Sequence, residues 1–128
     1  MDSGMFKPMQ LAAVQALAQG PEWFRELNAG YAERKVAAGR IFDLLGVDYD
    51  HDSSGLFLWG HVRGDNAFLT DDGSASLGER LSDRLLYDAG VFITPGFIFG
   101  ENGRDYVRIS LCAKTEVLAE AENRIKGL

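Results

Sequence analysis

TPGFIFGENGRDYVRISL, residues 94–111, carries a period-two pattern with one charged residue inside it. From Tyr106 onward the residues alternate as in a half-buried strand, with Val107, Ile109 and Leu111 sharing one face. Arg108 falls mid-strand on the opposite face, between Tyr106 and Ser110. Two readings of it compete. An arginine on a strand is commonly a solvated residue of the outer face. Alternatively, its planar fork is a donor pair for a carboxylate or phosphate, a task that suits Arg better than Lys. Glu101 and Asp105 lie in the preceding turn, and neither is in register to neutralise it. Upstream, GVFITPG reads as a short strand that Pro95 must end or place at a sheet edge. GENGRD is the tight turn into the Arg108 strand.

The rest of the chain supplies the layers around this strand. Pro8 suits a helix start, and that helix is expected to run through Leu11, Val14 and Leu17 to a stop at Gly20. Pro21 opens a longer helix, with Glu22 and Glu26 near its positive end. Phe24, Leu27, Tyr31, Ala38, Ile41 and Leu45 form one buried stripe at helical spacing, and Gly46 ends it. Arg34 and Lys35 are expected on its wet flank. LFLWGHV is a strand by its aromatic and β-branched content. A third helix is expected over residues 74–88, with Leu77, Leu81, Leu85 and Leu86 inward and a stop at Gly90. Thr115 is expected to cap a last helix whose stripe is Val117, Leu118, Ala121 and Ile125. The order α-α-β-α-β-β-α predicts an α+β domain, a small and mainly antiparallel sheet with helices packed on one side.

A length of 128 residues fits a single domain, and 46% hydrophobic with 25% charged residues excludes a disordered chain. The net charge of −6 opposes a phosphate backbone, so no nucleic-acid partner is expected. Cys112 is the lone cysteine and can form neither an internal disulfide nor a thiolate cluster; it is expected as a small buried hydrophobe, consistent with the cytoplasm. MQLAAVQALAQG lacks a basic leader, because Asp2 precedes it. Gln10 and Gln15 break its apolar run, so it reads as an amphipathic helix and neither a signal peptide nor a membrane span.

No complete catalyst emerges from the residues. Asp48, Asp50 and Asp52 alternate like the start of a calcium loop, but the sixth position is Ser53 and the twelfth is Trp59, where Gly and Glu are required. His51 and His61 have no metal-ligand spacing around them, so no metal is expected. Gly96, Gly100 and Gly103 precede no GK[ST] and no helix, and are read as turn residues. Lys7, Lys35, Lys114 and Lys126 show no sign of a buried, activated amine.

With these residues in view, TPGFIFGENGRDYVRISL resembles the C-terminal strand-turn-strand of class I/II pyridoxal-phosphate aminotransferases of fold type I. In that family a TPG-like stretch and a glycine-bearing turn lead into a strand of the form Y-[VIL]-R-[ILV]-[SA]. GLFLWGHV resembles the small-domain strand that follows the long helix, and DSGMFKPMQLAAVQAL the segment entering the small domain. The resemblance covers essentially the whole chain, and the arginine strand is its specific part.

The resemblance implies a single C-terminal small domain, residues 1–128, of a longer enzyme whose large, cofactor-binding domain is absent here. Arg108 maps onto the arginine that binds the α-carboxylate of the amino-acid or 2-oxo-acid substrate. Gly55 and Phe57 map near the substrate side. Ser3, Gly4, Met5 and Phe6 map onto a loop near the dimer interface and the neighbouring active site. The family's Schiff-base lysine sits in an S-x-S-K-like segment of the large domain, which this sequence lacks. The chain alone is therefore expected to contain no catalytic residue, to hold no pyridoxal phosphate and to be inactive. The parent enzyme is expected to be a cytoplasmic homodimer that uses pyridoxal phosphate as an electron sink. Two other classes stay open: a stand-alone α+β module that binds a carboxylate through Arg108, and an interaction domain without a ligand.

Overall fold

The computed structural model describes residues 4–69 and 75–128. The chain divides into two compact units, Met1–Gly30 and Tyr31–Leu128. In the first, α1 (Lys7–Leu17) begins with Pro8 in its first turn, as its sequence predicts, and buries no residue. The long helix α2 (Pro21–Leu45) starts in this unit and buries residues only from Ala37 onward. The single stripe expected along α2 is therefore corrected. Phe24 and Leu27 are exposed, and Trp23 meets Phe24 edge-on at 5.0 Å. Helical spacing marks a face as apolar, but burial also requires a covering layer.

The second unit is built around a four-stranded antiparallel sheet, β1 (Asp48–Tyr49), β2 (Phe57–His61), β3 (Thr94–Pro95) and β4 (Tyr106–Ser110), in the order β1-β2-β4-β3. The β1 pairing was absent from the sequence expectation, because two residues are too few to show alternation. Two further helices, α3 (Leu77–Ala89) and α4 (Thr115–Ile125), complete the unit. One core collects Ile41, Phe42 and Leu45 of α2, Leu81 and Leu85 of α3, Leu118 and Ile125 of α4, and the Leu58, Val107 and Ile109 face of the sheet. Each such side chain contributes roughly 1.5–3 kcal/mol by leaving water. Gly60 of β2 lies where α2 presses on the sheet: an added Cβ would stand 2.9 Å from the Phe42 ring. The α+β class with a small antiparallel sheet is the one that the sequence predicts.

Local departures have local causes. α3 is capped by Ser76, whose Oγ accepts the Glu79 N–H at 3.4 Å, and ends at Gly90 with φ 64°. Residue 74, the expected start, lies outside the described residues, and Leu86 faces solvent. On α4 the N-cap is Lys114, with Thr115 the first helical residue, and Val117 is exposed. Cys112 is also exposed rather than buried, because the strand ends before it. Arg34 and Lys35 are half-buried instead of solvated: Arg34 donates to the Leu111 carbonyl at 3.3 Å, and Lys35 to the Ser53 carbonyl. Their stems cover apolar surface while their heads satisfy loop carbonyls.

Candidate functional site: the arginine face of the sheet

β4 is an interior strand, and its alternation separates two environments. Val107 and Ile109 are 0% and 7% exposed and face the helices. Tyr106, Arg108 and Ser110 point the other way and are half-buried. Arg108 is paired across the strands with Trp59 on β2 and Thr94 on β3. Phe57 and Trp59 extend the same face, and Trp59 stacks on Tyr106 at 5.4 Å between centroids.

The guanidinium is held by rings. Its Cζ lies 4.1 Å from the centroid of Phe57 and 4.4 Å from that of Phe99. Each cation–π contact of this kind is worth about 0.5–2 kcal/mol, more as water is excluded. Among the described residues Arg108 has no ion pair, and its Nε is buried without a hydrogen-bond partner. Leaving such a donor unpaired costs about 1–3 kcal/mol, similar in size to what the rings supply. Among the described residues, the two terminal nitrogens have no hydrogen-bond acceptor and remain as donors. Of the acids of the preceding turn, Glu101 pairs with Arg104 at 3.4 Å, and Asp105 forms no ion pair with Arg108 among the described residues.

Phe99 reaches Arg108 on a double turn, Gly96–Phe99 followed by Glu101–Gly103, both of 3₁₀ type. The glycines read as turn residues have specific tasks here. A Cβ on Gly96 would stand 2.3 Å from the Gly103 carbonyl oxygen, and one on Gly103 would stand 2.2 Å from that of Gly96. Gly100, between the turns, has φ 125°. The two turns thus close backbone to backbone. Sequence reasoning missed Phe99 and Trp59, which only the closure of the loop and the strand register bring beside Arg108.

The other predicted positions divide. Phe57 is brought to Arg108. Gly55 serves the turn into β2, with φ 103° and nothing within 4 Å of an added Cβ. Gly4, Met5 and Phe6 lie in the first unit, exposed ahead of α1, and Ser3 is outside the described residues. In the acidic loop Asp50 Oδ1 accepts the Asp52 N–H at 2.8 Å, and no cluster of metal-ligating residues occurs among the described residues. His51 packs on Tyr49 at 4.2 Å and His61 on Tyr106 at 5.0 Å. Burial, aided by the charge and hydrogen bond of Asp43, pushes the Tyr49 hydroxyl pKa up. Hydrogen bonds from Lys126 and Arg40 hold the Glu122 carboxyl below its usual range. Both are packing details of the helix side. A groove of about 400 Å³ opens between the segment at 90–94 and α4, and Arg108 is among the residues that line it. Its other charged residues, Arg124 and Glu120, pair with each other at 2.9 Å, so Arg108 is the lining charge without an ion pair among the described residues. Among the described residues, no helix is long and apolar enough to cross a membrane.

Comparison with known proteins gives this arrangement a context. The chain is 32% identical over all of its 128 residues to an LL-diaminopimelate aminotransferase of Maridesulfovibrio salexigens, and covers 30% of that protein. It is 36% identical over 126 residues to transaminase BacF of Bacillus subtilis, covering 98% of this chain and 29% of BacF. Among solved structures, apo-BacF superposes with a TM-score of 0.75 at 33% identity, over 97% of this chain and 31% of that one. An aminotransferase from Staphylococcus aureus gives 0.74 at 26% identity, over 98% of this chain and 31% of its own. No protein-family model matches the chain. The relatives are aminotransferases, as the resemblance implies, and the fold is shared with a part of them. The chain spans about 30% of the length of the curated relatives that it matches.

Proposed function

We propose that this chain is the C-terminal small domain of a longer pyridoxal-phosphate-dependent aminotransferase, in which Arg108 binds the carboxylate of the amino-acid or 2-oxo-acid substrate. The observation that carries this reading is the state of the guanidinium. It sits on the face of the sheet turned away from the core, ring-bound, with no acid to neutralise it among the described residues. A carboxylate meeting such a fork gains two charge-assisted hydrogen bonds and one fixed orientation. Held in that way, the substrate's α-carbon is oriented for chemistry performed elsewhere in the enzyme.

The lysines of this chain do not fit a covalent anchor for the cofactor. Lys126 pairs with Glu122 at 2.6 Å, Lys35 donates to Ser53, Lys7 lies on the exposed α1, and Lys114 is exposed at the start of α4. In this proposal the cofactor is held by the large domain of the same longer chain. The residues here contribute substrate capture, and Gly4, Met5 and Phe6 lie near the partner subunit of a cytoplasmic homodimer. No role in nucleic-acid or membrane binding is proposed.

The test is Arg108→Lys in the longer enzyme. It keeps the charge and removes the fork, so kcat/KM for the amino donor should fall by roughly one to two orders of magnitude, while the absorbance of the bound cofactor stays unchanged. An unaltered kcat/KM would return Arg108 to a solvated strand residue. On the 128-residue chain, borohydride reduction with pyridoxal phosphate should give only scattered labelling of surface lysines by mass. A stoichiometric adduct at one lysine would overturn this division of labour.

A further inference from the structure

We infer that Phe99, presented by the Gly96–Gly103 double turn, is a positioning residue that orients the Arg108 guanidinium for carboxylate capture. This rests on the carboxylate reading of Arg108. An arginine side chain has many rotamers, and hydrogen bonds or an ion pair ordinarily select one. Arg108 has neither among the described residues, so its orientation falls to the two rings at 4.1 and 4.4 Å from Cζ.

The rings differ in how they arrive. Phe57 belongs to β2 and is fixed by the sheet register. Phe99 is 52% exposed, so burial does not account for its place. Its ring contacts are with the guanidinium and, edge-on at 5.7 Å, with Trp59. Three glycines are needed to put it there: Gly96 and Gly103, where no Cβ fits between the turns, and Gly100, at a φ that L side chains rarely adopt. A loop so constrained, whose tip residue stays half in water, is explained by what that residue touches. With Nε shut in beside the rings, the terminal nitrogens are left to receive the ligand as a pair. Phe99 thereby acts through Arg108 and needs no contact with substrate.

The experiment uses the ¹⁵N-labelled 128-residue chain and its arginine Nε–Hε signals, with sodium acetate as the carboxylate probe and chloride at equal ionic strength as control. The Arg108 signal is identified by its loss in Arg108→Lys. It should stand upfield of the other arginines through the ring currents, return toward them in Phe99→Leu, and stay shifted in Phe99→Tyr. The acetate response should weaken about two- to fivefold in Phe99→Leu, as loss of one exposed cation–π contact implies. An Arg108 signal lying among the others in the unsubstituted protein overturns the inference, whether or not any variant folds. So does a measurable acetate response that is equal in the unsubstituted protein and in Phe99→Leu. A ring-shifted signal that collapses in Phe99→Leu, with no acetate response in either protein, supports the ring contact and overturns the carboxylate reading alone.

Discussion

The two faces of β4 place opposite chemistry on alternate residues of one five-residue strand. On one, Val107 and Ile109 close an apolar core shared by three helices. On the other, Arg108 lies among Phe57, Phe99 and Trp59, where each neighbour is a particular ring at a particular distance. The first face is specified by hydrophobicity, which leaves a periodic trace in sequence. The second is specified by a meeting of β2, β4 and a glycine-spaced loop, which leaves almost none. The strand's stability and its candidate function thus reside on different residues and can be separated by substitution.

Leu58→Ala, on the helix side of β2, should have the largest effect, a loss of about 2–5 kcal/mol in urea unfolding, since the fully buried side chain leaves a cavity. If Trp59→Ala, its neighbour on the open face, costs as much, the two faces are not the separate environments described. Gly103→Ala should come next, destabilising by about 1–3 kcal/mol, because the new Cβ overlaps the Gly96 carbonyl. It should also abolish the upfield shift of Arg108 Hε; an intact shift would uncouple the double turn from the ring contact. Arg108→Ala should change urea stability by less than about 1.5 kcal/mol, since the rings' contribution and the unpaired Nε offset each other. A larger loss would make Arg108 structural. The smallest effect belongs to the Glu122 network on the helix side. Its folded pKa is lowered, so its stabilisation is present above the unfolded carboxylate pKa and is lost as pH falls through the folded one. Glu122→Gln should flatten that acid-side slope and change stability at neutral pH by no more than about 1 kcal/mol.

What could be read from sequence follows the same division. The four helices, the β2 and β4 strands and the Val107–Ile109–Leu111 face were legible because each repeats a pattern over several residues. Arg108 was legible as an anomaly within such a pattern, and its family resemblance gave the anomaly a meaning. Phe57 came from that resemblance alone. Phe99 was not legible, since only the closure of Gly96 on Gly103 brings it back over the sheet. Arg34 and Lys35 were misplaced for a related reason: whether a residue beside an element is covered depends on which loop crosses it, and periodicity does not record loops. Cys112 was misplaced because β4 ends before it. The buried stripe of α2 failed at Phe24 and Leu27 because an apolar face predicts a need for cover without supplying it.

The short outer strands bear on how the sheet behaves toward foreign chains. β1 and β3, its two margins, are each two residues long, and β3 ends in a proline that has no N–H to offer. An edge of that length exposes too few backbone donors and acceptors in a row to template another strand. The longer strands, whose alternating apolar residues would make the better seeds for cross-β growth, are the two enclosed between them. Resistance of the sheet margins to strand addition therefore follows from strand length, independently of the charges on the surface.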